Sequence, residues 1–210
     1  KNAWNPIPGG DGQKLSLRVQ TYGTQYLYYG LSFTEPWLGG KKPNSFTTSL
    51  YHSTYSTAFE RTSENYGTFK TTGLSFGLGK RLTWPDDYFT FQAELSYQWY
   101  YLKNWDYLYY MNNGVSNSMV LGLTLARSSI DNPLYTRRGS TFSLSFQATP
   151  PVSSFVKKDW KALYYAGTED SKKEMYKWIE YWKLKFKSKT FTPLTDPDGQ
   201  WTLVLMTRAD

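Results

Sequence analysis

Apolar and polar residues alternate along most of this chain with a period of two. Over residues 89–103 the odd positions are Phe89, Phe91, Ala93, Leu95, Tyr97, Trp99 and Tyr101, with Lys103 at the end. The even positions are Thr90, Gln92, Glu94, Ser96, Gln98, Tyr100 and Leu102. Successive side chains of a strand point to opposite faces, so this spacing predicts a strand between an apolar and a polar medium. The rhythm recurs at 117–127, where Met119, Leu121, Leu123 and Leu125 oppose Ser118, Val120, Gly122, Thr124 and Ala126. It recurs at 139–148, where Phe142, Leu144 and Phe146 oppose Thr141, Ser143, Ser145 and Gln147. Residues 14–22, 26–33 and 69–79 follow it too, and 45–55 and 201–208 follow it more weakly. In 182–190, Trp182, Leu184 and Phe186 face one way and Lys183, Lys185, Lys187 and Lys189 the other. The expected total is about nine strands.

The connections fall into two kinds. One kind is short and rich in Gly, Pro and Asp: 8–12, 36–43, 84–87, 131–139 and 193–199. The other is mostly longer and polar-aromatic: 52–66, 103–116 and 149–175, with only Gly23-Thr24 against the trend. Strands joined this way form an antiparallel meander. Short turns at one end and long loops at the other are the mark of an outer-membrane barrel. Eleven residues at ~3.3 Å each reach ~36 Å. Tilted by ~40°, they cover roughly 28 Å, close to the ~25 Å apolar band of an outer membrane. Trp4, Trp99-Tyr100-Tyr101 and 107–110 gather aromatics near strand ends, as an interfacial girdle does.

One segment breaks the strand rhythm. Asp159–Gly167 reads as a short helix with Asp159 as N-cap and Gly167 as stop. Ser171-Lys172-Lys173-Glu174 has the capping-box pattern, opening a turn or two in which Met175, Trp178, Ile179 and Trp182 share a face. The fold class expected is therefore all-β: an antiparallel meander forming about nine strands of a transmembrane outer-membrane β-barrel, with a short helical insertion in one long extracellular loop. Residues 1–210 belong to a single barrel domain, and 149–180 form the structured loop insertion.

Composition narrows the chemistry. The 210 residues carry a formal charge of +7, no Cys and a single His, which excludes disulfides, thiolate metal sites, a Cys nucleophile and a His-cluster metal site. No apolar run reaches the length of a transmembrane helix. The opening Lys1-Asn2-Ala3-Trp4 is no signal peptide, and without a start Met the chain reads as a piece of a longer protein. Aromatics make up 19% of a chain whose mean hydropathy is −0.60. That combination again implies one wet face and one dry one.

Each candidate site is set beside its plainer reading. The lysine column could face an anion or nucleic acid, but nucleic-acid binding needs stacking aromatics on the same face. Here the aromatics point away, so a hydrated lumen wall is expected and no nucleic-acid partner. Asp86-Asp87 and Asp196-Pro197-Asp198-Gly199 sit where turns use Asp and Gly, and the second is too short for a calcium loop. Glu94 is a lone acid on a polar face and is expected to pair with Arg18, Arg127 or a lumen lysine. His52, at a strand end, lacks the ordered neighbours of a triad. No catalytic, cofactor or metal residue is expected, and no enzyme activity.

Residues 131–140, Asp131-Asn132-Pro133-Leu134-Tyr135-Thr136-Arg137-Arg138-Gly139-Ser140, have more specific wording than a turn needs. Pro133 fixes φ, Gly139 allows positive φ, and Arg137 and Arg138 can pair with Asp131 or with lipid phosphates. With the strand start that follows, this segment resembles a recurring hairpin of the BamA/TamA/two-partner-secretion transporter superfamily, with Thr136 where that family often has a second Pro. Leu31–Gly39, containing Glu35, Pro36 and Trp37, resembles a second family segment at the periplasmic rim. Residues 74–87 and 178–194 resemble two more. In order and spacing the four resemble the BamA branch of outer-membrane protein assembly factors over roughly residues 14–208.

The resemblance implies a sixteen-stranded barrel preceded by periplasmic POTRA domains, of which this chain holds about the third to the eleventh strand. The family's seam strands and its inward Val-Arg-Gly-Phe loop lie outside it, so no mechanistic residue carries over beyond the turn motifs. The implied function is catalysed folding and insertion of β-barrel proteins by strand templating and local bilayer thinning. The implied partners are outer-membrane lipids, unfolded β-barrel clients, and accessory assembly lipoproteins on the periplasmic or extracellular side. Leu95, Tyr97, Trp99, Leu121, Leu123, Phe142 and Phe146 are expected to face lipid. A passive porin or uptake barrel shares the alternation but lacks the Asp-Asn-Pro…Arg-Arg-Gly-Ser turn. A soluble carbohydrate-binding sandwich or glycosidase would cluster its aromatics at loops on one edge and not in columns along strands.

Overall fold

The computed structural model describes residues 12–40, 44–106, 111–156, 158–196, 198–199 and 201–210. Trp4, the turn residues 8–11 and 41–43, the aromatic run 107–110 and Pro197 lie outside the described residues. The strands are β1 (Lys14–Tyr22), β2 (Tyr26–Glu35), β3 (Asn44–Ser56), β4 (Thr68–Arg81), β5 (Phe89–Lys103), β6 (Gly114–Ser128), β7 (Gly139–Ala148), β8 (Trp182–Pro193) and β9 (Val204–Ala209). Each pairs antiparallel with the next, in the order β1 to β9, so the nine strands form one meander. Three short helices, α1 (Val152–Phe155), α2 (Trp160–Ala166) and α3 (Glu169–Met175), interrupt it between β7 and β8.

The register keeps the two kinds of side chain in phase across the whole sheet. One row on the apolar face runs Leu15, Phe33, Thr48, Phe76, Leu95, Leu121. The neighbouring row on the opposite face is a ladder of serines: Ser16, Ser32, Ser49, Ser75 and Ser96 on five consecutive strands. Ser49 and Ser75 hydrogen bond at 2.7 Å. Thr34 and Thr47 meet at 3.3 Å, and Thr124 donates to Ser145 at 3.1 Å. A slip of one residue anywhere would put leucines among these hydroxyls.

Among the described residues no second layer packs across the sheet; α3 touches it, at β6. The burial pattern is the reverse of a water-soluble protein's. Leu17 is 75% exposed and Leu50 50%, whereas Ser53 and Thr71 are 7% exposed and Ser116 and Ser118 4%. Small polar residues on the hydroxyl face are covered by their neighbours, and Ser116 by the insertion, donating to Tyr176 O at 2.6 Å. The hydroxyl face is thus concave and the apolar face convex. Glycine makes room on the inside: a Cβ on Gly73 would lie 2.2 Å from the ring of its cross-strand partner Tyr51. Tyr51 therefore lies flat over β4 and stacks on Tyr28 at 6.0 Å, with Arg18 above the Tyr28 ring.

The helical insertion differs in two details from the sequence expectation. α2 is capped as expected, with Asp159 accepting from Ala162 N at 3.0 Å and Gly167 left-handed at φ 62°. α3 starts earlier than the Ser171 box implies. Thr168 is its N-cap, accepting from Ser171 N at 3.2 Å, and Ser171 donates back to the Thr168 carbonyl. The expected face of Met175, Trp178, Ile179 and Trp182 does not form either, because the helix ends at Met175. β6 extends beyond the end of β7, and residues 177–179 occupy that unpaired edge. Asn117 N donates to Lys177 O at 2.8 Å and Ile179 N to Asn117 O at 2.9 Å. Backbone pairing at an open edge outweighs one more turn of helix.

A single-layer sheet with one continuous exposed apolar face has no aqueous resting place. The 210-residue chain prepared in buffer without lipid or detergent is expected to self-associate. A monodisperse monomer with a cooperative thermal transition, seen by scattering and circular dichroism, would contradict the membrane reading.

Candidate functional site

The short connections gather at one end of the sheet, and their side chains tie the turns together. Asp131 begins the β6–β7 hairpin. Its Oδ1 accepts from the backbone N–H groups of Asn132 at 2.9 Å, Arg137 at 3.1 Å and Arg138 at 3.3 Å. The bonds to Asp131 thus come from the arginines' main chain, and the Arg137 guanidinium reaches away to donate to Gly199 O at 3.0 Å, joining this hairpin to the β8–β9 turn. Asn132 Oδ1 accepts from Leu134 N at 2.9 Å, and Thr136 donates to Asn132 O at 2.6 Å. Pro133 sits inside this loop of bonds. Gly139 has φ 113°, and a Cβ there would lie 2.3 Å from Ser129 O, so the position admits no side chain without strain.

The neighbouring turns are tied likewise. Asp86 accepts from Tyr88 N at 2.9 Å and pairs with Arg127 Nε at 2.9 Å. Arg127 also donates to Ser129 at 2.9 Å and lies over the Tyr88 ring. Glu35 is 6% exposed, accepts from Trp37 N at 3.0 Å and holds the side-chain amide of Gln13. Pro36 and Trp37 follow in the turn, with Trp37 half exposed. Asp196 accepts from Asp198 N at 3.0 Å, a turn bond of the kind expected there.

The two faces carry the rest. Lys183, Lys185, Lys187 and Lys189 stand on the concave face opposite Gln147, Ser145, Ser143 and Thr141. Leu95, Tyr97, Trp99, Leu121, Leu123, Phe142 and Phe146 stand on the convex face. Within Trp99-Tyr100-Tyr101, Trp99 and Tyr101 stack outward at 6.0 Å, while Tyr100 turns inward against Phe69 at 6.0 Å. Glu94 does not find the expected cation: its strand partners are Gly77 and Gly122, Arg127 is taken by Asp86, and no described ion pair includes it. His52 lies within β3, not at its end. It stacks on Tyr29 at 5.2 Å and hydrogen bonds Thr72 and Thr54. Among the described residues, no group of three His, Asp or Glu is placed to hold a metal.

The Omp85 superfamily domain matches residues 9–210. The chain belongs to the Omp85 superfamily. No curated protein matches it by sequence. Among solved structures it is similar to BamA from Haemophilus ducreyi lacking POTRA domains 1–3, with a TM-score of 0.57 and 19% identity. The match covers 89% of this chain and 33% of that one, so the chain spans about a third of the solved BamA chain. The sheet is thus that of an outer-membrane β-barrel. In this Omp85 sheet the Asp131–Gly139 hairpin is a built object, with a cage of three amides around one carboxylate.

Two features escaped the sequence. Asp86–Arg127 joins turns 41 residues apart, a distance only the register reveals. The serine ladder is visible as single serines but not as a row. The Asp131–Gly139 turn itself was singled out, but with Arg137 and Arg138 as side-chain partners of Asp131; Asp131 takes their main-chain N–H groups instead.

Desolvation at the turn pushes the Asp131 carboxyl up, but the backbone N–H groups of Arg138, Arg137 and Asn132 together outweigh it and hold the carboxyl below its ordinary range. A depressed folded value means the cage contributes fully above the ordinary carboxylate pKa of about 3.9 and is lost as pH falls through the lower folded value. The Arg137 and Arg138 amide resonances of the barrel are expected to titrate with a midpoint below about 3.9. The titration should vanish in Asp131→Ala. A midpoint at or above the ordinary value would remove the cage from the account.

Proposed function

We propose that this chain is the wall of an outer-membrane barrel that folds and inserts other β-barrel proteins, by templating their strands and thinning the adjacent bilayer. The observation that carries this reading is membership of the Omp85 superfamily along residues 9–210, on a sheet whose apolar face is convex and uncovered. The work is non-covalent and the chain is not an enzyme. In lipid, each unpaired N–H or C=O costs several kcal/mol. An incoming client strand that pairs with an exposed edge removes that cost, and this is the driving force for templating.

In this reading residues 1–210 lie within one barrel domain, and the convex residues Leu95, Tyr97, Trp99, Leu121, Leu123, Phe142 and Phe146 contact lipid. The lysine column lines a hydrated lumen. The tied turns, Glu35-Pro36-Trp37 and Asp131–Gly139 among them, lie at the periplasmic rim, and the 149–180 insertion is extracellular. The partners are outer-membrane lipids, unfolded β-barrel clients and accessory assembly lipoproteins, with no nucleic acid and no cofactor.

Two measurements test it. In the full-length protein, Leu121→Arg is expected to cost about 2–4 kcal/mol of bilayer folding stability, and Ser143→Arg on the concave face less than about 0.5 kcal/mol. Equal costs would undo the assignment of faces. Liposomes containing the full-length protein are expected to speed the folding of a urea-denatured β-barrel client relative to empty liposomes. Solute flux without any such acceleration would favour a passive pore.

A further inference from the structure

The convex face changes character at the long-loop end. Toward that rim, β3, β4 and β5 present the row Thr54, Lys70, Tyr101 and beyond it Ser56, Thr68, Lys103. A cleft of about 720 Å³ opens between these strand ends and the 57–67 loop, which contributes Arg61. Its lining has three cations and several hydroxyls and no carboxylate. No described ion pair includes Arg61, Lys70 or Lys103. Lys70 and Lys103 are diagonal neighbours across the β4–β5 pair, and Lys70 Nζ lies 5.8 Å from the centre of the Tyr101 ring.

Like charges held this close without counter-charges repel, and an anion bridging them would relieve that repulsion. The surroundings say which anion. The cleft is many times the size of one phosphate, and its hydroxyls and aromatic ring suit a sugar. Two rows nearer the sheet's middle on the same face, Leu31, Leu50, Leu74 and Tyr97 are 45%, 50%, 37% and 38% exposed. One row of Tyr29, His52, Thr72 and Trp99 separates the polar cationic cleft from this uncovered apolar strip. A free phosphate would use only the first feature, and a membrane amphiphile uses both.

We propose that this cleft binds the phosphorylated sugar headgroup of a membrane glycolipid, with the acyl chains lying along the apolar strip. Arg61, Lys70 and Lys103 hold the phosphates, and Tyr101 and the hydroxyls of Thr54, Ser56 and Thr68 line the sugar. The site needs the convex face to meet lipid, which the Leu121→Arg comparison tests separately. It does not need the protein to be an insertase.

The test uses the full-length protein in neutral detergent micelles, with binding followed by native mass spectrometry. The probes are bisphosphorylated lipid A, its dephosphorylated form, phosphatidylglycerol and pyrophosphate. Lipid A is expected to bind at least about tenfold more tightly than the dephosphorylated form. Arg61→Gln/Lys70→Gln/Lys103→Gln should abolish that difference, and the lumen pair Lys185→Gln/Lys187→Gln should leave it intact. If the triple variant fails to show the heat-modifiable gel shift of a folded barrel, Lys103→Gln alone should still lose about threefold. The proposal is overturned if phosphatidylglycerol binds as tightly as lipid A, if pyrophosphate does, or if the folded variants bind lipid A like the parent. A protein that discriminates the two glycolipids yet folds no client would keep this site and lose the insertase reading.

Discussion

A sheet one layer thick satisfies its backbone only sideways, through neighbouring strands, and it has no core in which to hide apolar side chains. Everything else in this chain answers to those two conditions. The nine strands pair in sequence order, each with the next, so backbone groups along shared registers are paired within the sheet. The apolar residues stay in phase on one face from Leu15 to Leu121, because a single slip would move a whole strand's leucines into the hydroxyl ladder. The result is stable only where the convex face meets hydrocarbon. The same reasoning explains the segment at 177–179, which gives β6 a backbone partner where β7 has already ended.

Much of this was legible in the residues. Period-two alternation marks all nine strands, including the weak ones, because each strand touches two different media. The bounds of Lys14–Tyr22, Phe89–Lys103 and Gly139–Ala148 coincide with the alternating runs. What the sequence hid depends on long-range pairing. The extension of β6 past β7 turned Trp178 and Ile179 from helix into edge backbone. The choice of Thr168 over Ser171 as cap turned on which hydroxyl stood outside the first helical turn, and both residue types serve. Glu94 suggested an ion pair, yet its strand neighbours are glycines and Arg127, one of the expected partners, is paired with Asp86. The site followed the same division. The Asp131–Gly139 turn is local and was readable, though not the main-chain bonds to Asp131, while the convex basic cleft joins Arg61, Lys70 and Lys103 from three stretches and appears only in register.

The two rims solve opposite problems. At the short-turn rim polar groups are answered within the protein: Asp131 by three amides, Asp86 by Arg127, Glu35 by Gln13 and Trp37, and Arg137 by a neighbouring turn. Such bonds hold strand ends at fixed spacing, and each exposed pair adds about 0–1 kcal/mol alone. Their effect is geometric more than energetic, since Arg137 and Arg127 each link different turns and so fix the rim as a unit.

At the other rim the insertion pairs Lys158, Lys172 and Lys173 with Glu174, Glu169 and Asp170, but the cations of the convex cleft and the lysines on the concave face of β8 form no described ion pair. Lys183, Lys185, Lys187 and Lys189 have hydroxyls and an amide opposite them on β7, with Arg208 opposite Lys189 on β9, and Arg61, Lys70 and Lys103 line a cleft. The chain carries 24 basic against 17 acidic residues, so some cations must lack partners. Excess alone does not place them in a column and a cluster, however, and scattered lysines would repel less. Holding them together is unfavourable unless water or an external anion screens them. On the concave side water can do so. On the convex side, beside an apolar strip, water is the poorer screen, and an anionic headgroup carried by an apolar tail is the occupant that satisfies both surfaces at once.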